Sequence, residues 1–231
     1  LVDASFLQNA TLTQVATAIT AIGALGTAAF GLVDASKLLP WLVPSSGFQF
    51  IRKLVKQLAP ASSSIPKDSA LTVSAITDSL RANWINGMAL ADQKTVAKTL
   101  FKLRLNAESA PALALITGVD KDVLTSVAKK LANGEAMMQP EMDTYGRFDV
   151  LLATTIDRGY QKADQRYRTT AKVAAGIVAI LLAEAAASFL NIDNIGLAFL
   201  VGLIATPLAP IAKDLASSLN TAAKAVQSVK K

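Results

Sequence analysis

Neither cysteine nor histidine occurs in the 231 residues of this chain. Disulfides, thiolate nucleophiles, zinc or haem held through imidazole, and every Ser-His or Cys-His catalytic arrangement are thereby excluded. Metal-ligand spacing is also missing: Asp92, Glu108, Asp120, Asp122 and Glu135 form no EF-hand pattern, and no Walker-type or G-x-G-x-x-G loop is present. No cofactor or metal is expected, and the chain reads as a non-enzyme. Aromatic residues are scarce at 6%, charged residues stand at only 17%, and no alternation worth a β-sheet appears. What remains is an all-α chain.

What is abundant is apolar sequence, 52% of the residues with a mean hydropathy of +0.40, too apolar for an ordinary soluble domain. The excess is concentrated between Val173 and Ala212, two apolar runs folded back around Asn191-Ile192-Asp193-Asn194. Each run is about 18 residues, close to the roughly 20 that a helix needs to cross about 30 Å of hydrocarbon. Backbone amides in lipid must be satisfied within their own segment, so a transmembrane helical hairpin over residues 173–212 is expected. Pro207 and Pro210 fall near its end, where a kink or an exit is tolerated. Ala171, Ala175, Ala179, Ala183 and Ala187 recur every fourth residue, and Gly202 and Thr206 make a shorter small-residue pair. These spacings mark helix faces on which another backbone can approach closely.

A third apolar run, Ala10 to Val33, is uncharged and contains the series Gly23, Thr27, Gly31. It reads as a first transmembrane helix within residues 1–36, the alternatives being a helix buried against the hairpin or lying flat. No basic region precedes it, which weakens a signal-peptide reading. Residues 37–59 open with Lys37, Pro40, Trp41 and Pro44. They then place Ile51, Leu54, Val55 and Leu58 opposite Arg52, Lys53, Lys56 and Gln57. That pattern fits an interfacial amphipathic helix on an anionic membrane, and equally a helix packed on a neighbouring domain.

Pro60 to Pro66 is a linker, and residues 60–139 read as a small helical domain, expected on the cytoplasmic side. Its helices are a stripe Val73, Ile76, Leu80, Trp84 ending near Gly87, then Thr95 to Leu105, with Val96, Leu100, Phe101 and Leu103 on its apolar side. They continue with Ala110 to Val119 and a segment from Asp120 to Ala132. Asp120 is placed to cap the last of these and Asn133-Gly134 to end it. Residues 140–172 lead into the hairpin without a further proline, so one stalk helix from Pro140 to Leu190, about 75 Å long, is expected, with Gly146 and Gly159 as places to break. Residues 213–231 form a basic amphipathic tail.

The charge balance is 23 basic against 17 acidic residues, +6 net, read as cationic flanks of membrane spans and not as a nucleic-acid surface. Arg52, Lys53, Lys56, Arg166, Arg168, Lys172, Lys213 and Lys224 all flank spans, whereas Leu1 to Thr11 and Asn191 to Asn194 carry no Lys or Arg. The positive-inside rule then places the amino terminus outside and the helical domain and carboxyl terminus in the cytoplasm.

Phe148-Asp149, Ile156-Asp157-Arg158, Tyr167-Arg168, Leu190-Asn191-Ile192-Asp193 and Ala209-Pro210 with Asp214-Leu215 resemble a broad group of bacterial membrane proteins of unknown function. Those proteins share a WFD-x-x-MDR-type stalk, an ALN-x-D turn and a GAP-x-W-x-D-L-L exit. This chain departs from them at Arg147, Ile156 and Ala209. The resemblance covers about the last third and implies a bacterial cytoplasmic membrane without implying an activity.

Glu184 is the one ionisable side chain inside the hairpin runs, a costly placement unless it is protonated or paired. It reads either as a proton or cation site or as a neutral helix lock, and Thr13, Thr17, Thr20 and Thr27 either line a pore or bond back to their own helix. The function expected is a non-enzymatic membrane scaffold or accessory subunit. It would lie in the lipid bilayer as a homo-oligomer or as part of a larger membrane complex. The alternative is an oligomeric channel using Glu184.

Overall fold

A computed structural model describes residues 12–35, 43–60, 63–192 and 194–229, with the side chains of 12, 13, 43, 44, 216, 219, 220 and 222–229 left undescribed. The described residues form eight helices and no strand. They are α1 (Leu12–Ala35), α2 (Val43–Leu58), α3 (Val73–Ile85), α4 (Leu90–Leu103), α5 (Ala110–Thr117), α6 (Lys121–Asn133), α7 (Gln139–Phe189) and α8 (Ile195–Val229). Among the described residues, three stretches are long and apolar enough to cross a membrane: Gln14–Ala35, the apolar part of Gln139–Phe189, and Ile195–Leu215. The chain divides into a span unit, Leu1–Leu39 with Thr169–Lys231, and a core unit, Pro40–Arg168.

In the core unit, helix ends are written in the side chains. Asp120 Oδ1 accepts from the amides of Asp122 and Val123, both at 2.9 Å, satisfying donors that the first turn of α6 leaves open. Thr72 does the same for α3 through the Ala75 amide at 3.2 Å. Gly118 and Gly134 close α5 and α6 at φ +70° and +69°, where a side chain would be strained. α4 begins at Leu90, ahead of the expected Thr95, and its N-cap Ala89 has no side-chain bond to signal the start. Leu103, expected on the apolar side, is 62% exposed in the last turn.

The core assembles around α2 and the first half of α7. Ile51, Val55 and Leu58 of α2 are fully buried with Ile76 and Leu80 of α3, Phe101 of α4, Leu113 of α5, Leu124 of α6, and Phe148, Leu152 and Tyr160 of α7. Of the two readings of this amphipathic stretch, the packing fits the helix laid on a neighbouring domain: its apolar face, Ile51, Leu54, Val55 and Leu58, is covered by protein, against the interfacial segment expected over residues 37–59. Lys37, Pro40 and Trp41 lie outside the described residues. α2 also crosses α7 at backbone distance, because a Cβ on Gly47 would stand 2.6 Å from the Ala163 carbonyl oxygen. The stalk reading is corrected in the same way. α7 is continuous through Gly146 and Gly159, but residues 140–168 are a packing element of the core unit, with Phe148, Leu152, Ile156, Tyr160 and Ala163 buried.

The linker after α2 is pinned by side chains distant in sequence. Buried Arg104 donates to the carbonyls of Pro60 and Leu71, and burial pulls its guanidinium below its usual pKa. Glu108 accepts from the Ser63 amide at 2.8 Å, the Ser63 hydroxyl at 3.0 Å and the Ser64 amide at 3.1 Å.

In the span unit, α7 and α8 meet through a tight reversal. The Ile192 amide reaches the Ala187 carbonyl at 2.9 Å while Asn191 takes φ 52°, a left-handed helix stop that asparagine tolerates. Asn194 then caps α8, its Oδ1 accepting from the Leu197 amide at 3.0 Å. Asp193 lies outside the described residues. The chain does not leave the helix at Pro207 and Pro210 but runs through both to Val229, so residues 213–229 continue α8. The prolines remove the donors that Leu203 and Thr206 carbonyls would otherwise meet, a loss tolerated inside helices of this kind.

Glu141 supplies the first test of this packing. In the first turn of α7 it accepts from Lys130 Nζ at 2.7 Å, the Met138 amide at 2.7 Å and Ser126 Oγ at 2.8 Å. These bonds, that from Lys130 foremost, hold its carboxyl down to about 2 from an ordinary 4.5. A carboxylate held low stabilises the fold fully above its unfolded pKa, and that contribution falls away as pH drops from about 4.5 toward 2. Thermal unfolding followed by circular dichroism should show stability falling through this window, and Glu141→Gln should lower the neutral-pH melting temperature and flatten the acid slope.

Candidate functional site

The small residues singled out from sequence fall into those that make helix contacts and those that do not. Ala175 and Ala179 are fully buried and Ala183 and Ala187 nearly so, forming one seam along α7. Gly202 lies against that helix so closely that a Cβ would stand 2.5 Å from Ile180 Cα. Thr206, one turn further, is half-buried, with its hydroxyl enclosed and without a hydrogen-bond partner among the described residues.

On α1 the contact face is turned from the expected one. Gly23 is buried, and a Cβ there would stand 2.0 Å from Ala212 Cβ of α8; at Gly26 it would stand 2.1 Å from the Ala205 carbonyl oxygen. Ala29 and Val33 complete that face, and Ala29 is clustered with Ala179 and Ala205, so α1, α7 and α8 share one buried point. Thr27 and Gly31 are exposed, and nothing lies within 4 Å of a Cβ on Gly31. The correction has a simple physical cause: steps of three, three and four residues hold a helix face as well as two steps of four do, and Gly26 and Ala29 are as small as Thr27 and Gly31. Thr20 and Thr27 bond back to the carbonyls of Ala16 and Gly23 at 2.8 and 3.0 Å. Thr17 is exposed and also has a partner, and the side chain of Thr13 is outside the described residues.

Glu184 stands next to the Ala183 seam position, half-buried, with no hydrogen bond or ion pair among the described residues. The basic residues Arg52, Lys53, Lys56, Arg166, Lys172 and Lys213 are exposed; Arg168 is exposed too and pairs with Asp164 at 2.7 Å. The side chain of Lys224 is outside the described residues.

The motif residues of α7 have internal roles that sequence reasoning did not assign. Asp149 meets Lys98 at 2.7 Å and Lys102 at 3.1 Å, and Asp157 pairs with Lys94, so the two acids take hold of a lysine row on α4. Burial alone would raise the Asp149 carboxyl, but the two lysine bonds outweigh it and hold the carboxyl below its ordinary pKa. Lys102 is raised in turn, chiefly by its bond to Asp149, and sits 5.3 Å from the Tyr145 ring centre. Tyr167 meets Trp84 edge-on at 5.9 Å. Tyr160 is fully buried with its hydroxyl unpartnered among the described residues, and burial pushes the phenol pKa up. The spacing of Lys94, Lys98 and Lys102 against Asp149 and Asp157 was the available signal, since rows of opposite charge on two helices match turn by turn.

Gly202 and Gly31 offer a paired test. Gly202→Ala forces α8 away from the α7 backbone and should cost about 1–3 kcal/mol, the usual penalty of overpacking. Gly31→Ala should be neutral or slightly stabilising, because the added methyl meets open space. Thermal unfolding of both variants in a neutral detergent checks the difference.

No protein-family model, curated protein or solved structure matches this chain.

Proposed function

We propose that the chain is a non-enzymatic membrane scaffold or accessory subunit that associates laterally, alone or within a larger complex. The observation that carries this reading is the structural use of Glu108, Asp120, Glu141, Asp149 and Asp157 among the acidic side chains. Each of the five is engaged in capping a helix or joining two elements. A general acid or base has to be free to exchange its proton with a substrate, whereas these carboxylates hold the fold. The outward faces of the spans support the association. Val173, Ile177 and Leu181 of α7 and Leu203 and Ile211 of α8 are all more than half exposed, an apolar surface suited to lipid or to a neighbouring helix.

The scaffold we propose lies in a bacterial cytoplasmic membrane, amino terminus outside and the core unit and carboxyl terminus in the cytoplasm, a reading supported by the resemblance of the last third and by the basic residues that flank the spans. One observation favours a second reading, an oligomeric ion-conducting protein: Glu184 is half-buried in a stretch able to span, with no described partner.

Glu184→Gln separates the two. For a scaffold, proton flux into vesicles carrying the purified protein stays at the level of empty vesicles for both forms, and native mass spectrometry finds the same assembly in each. A flux in the wild type that the substitution abolishes would replace the scaffold with the channel.

A further inference from the structure

A second feature of the core unit brings together Arg158 of the Ile156-Asp157-Arg158 motif and the basic Lys53 of α2. Between α2 and α7 is a groove of about 270 Å³ lined by Phe50, Lys53, Leu54, Gln57, Thr155, Arg158, Gly159 and Lys162. Its charged side chains are all cationic: Lys53 from α2, and Arg158 and Lys162 one turn apart on α7. None of the three makes an ion pair among the described residues, although acids lie close by in sequence. Asp157 is turned to Lys94 and accepts from Gln161 at 2.6 Å, and Asp164 is taken by Arg168. Like charges one helical turn apart repel, so the arrangement works against the fold unless an anion completes it.

The remaining lining defines that anion. Arg158 offers a planar fork of donors suited to phosphate, and the two lysines supply mobile point charges around it. Gln57 adds a neutral amide donor. The Thr155 hydroxyl already donates to the Leu151 carbonyl at 2.8 Å and so contributes no proton to a ligand. Phe50 and Leu54 make the other wall apolar, and Gly159 leaves room for Leu54, whose Cδ2 would stand 2.9 Å from a Cβ at that position. We infer that the α2–α7 groove binds a phosphate group attached to a short, partly apolar stem. A glycerophospholipid headgroup and a soluble phosphate ester share that chemistry.

A neighbouring groove between α2 and α3 supplies the control. It holds Arg52 and Arg81 as well, but Asp78 stands among them with Ser45, Ser74 and Thr77, which halves its surplus charge.

The test titrates the full chain in neutral detergent with short-chain phosphatidylglycerol, short-chain phosphatidylcholine, glycerol 3-phosphate and inorganic phosphate, read by isothermal calorimetry. Arg158→Gln with Lys162→Gln should weaken binding at least tenfold, while Arg52→Gln with Arg81→Gln should change it less than twofold. Binding of phosphatidylglycerol alone assigns the groove to lipid. Binding of glycerol 3-phosphate or inorganic phosphate with similar strength assigns it to soluble phosphate. Failure of all four probes to bind the wild type overturns the inference, as does equal loss in both double variants. Should the α7 double variant lose its helical dichroism, Lys53→Gln on α2 is read in its place, and an unchanged affinity there overturns the inference equally.

Discussion

Everything in this structure depends on the positions that α7 buries in each of the two units, and on the size of the side chains there. From Phe148 through Leu152 and Ile156 to Tyr160 the buried positions are large, and they gather the helices of the core unit around them. From Ala175 through Ala179 and Ala183 to Ala187 they are alanine, and the neighbour they admit is the backbone of α8 at Gly202. The change follows from what each face is exchanged for. In water, burying a large apolar side chain contributes about 1.5–3 kcal/mol. Among hydrocarbon tails that gain vanishes, and close van der Waals contact between helices takes its place. Alanine and glycine maximise such contact because they let backbones touch.

Charge is sorted as strictly as size. In the core unit Asp149 and Asp157 fix α4 to α7, Glu141 fixes α6 to the start of α7, and Glu108 with Arg104 fixes the linker that follows α2. The pairs between α4 and α7 are partly exposed, so each contributes modestly, about 1 kcal/mol or less, and their value lies in setting which faces meet. With these acids turned inward, Lys53, Arg158 and Lys162 remain uncompensated around one groove. The positive surplus read from composition is therefore a local property of the α2–α7 face as much as of the span flanks.

Much of this was legible from residues. The three apolar runs, the continuity of α7, the Asp120 cap and the Asn133-Gly134 stop are all local signals, and local signals are what a sequence carries most directly. The destination of α2 was not legible, because an apolar stripe on a helix identifies the face to be covered and not what covers it. Lipid and protein impose the same period. The face of α1 was misplaced because Gly23 belongs equally to the series through Thr27 and Gly31 and to the series through Gly26, Ala29 and Val33. Only the position of Ala205 and Ala212 on α8 decides between them. The continuation of α8 past Pro207 and Pro210 escaped for a related reason, since the tolerance of proline is set by the surroundings and not by its neighbours in sequence. The lysine row of α4 and the cationic groove need two helices brought together before either has a meaning.

The common meeting point of α1, α7 and α8 tests the packing most directly, and a chain without cysteine is suited to it. Ala29→Cys combined with Ala205→Cys places two thiols in the cluster shared with Ala179. Oxidation in native membranes should join them within one chain, seen as an intramolecular shift on a denaturing gel, whereas Gly31→Cys with Ala205→Cys should not join. Cross-linking of the Gly31 pair in preference to the Ala29 pair, or of neither, would contradict the three-helix packing described here.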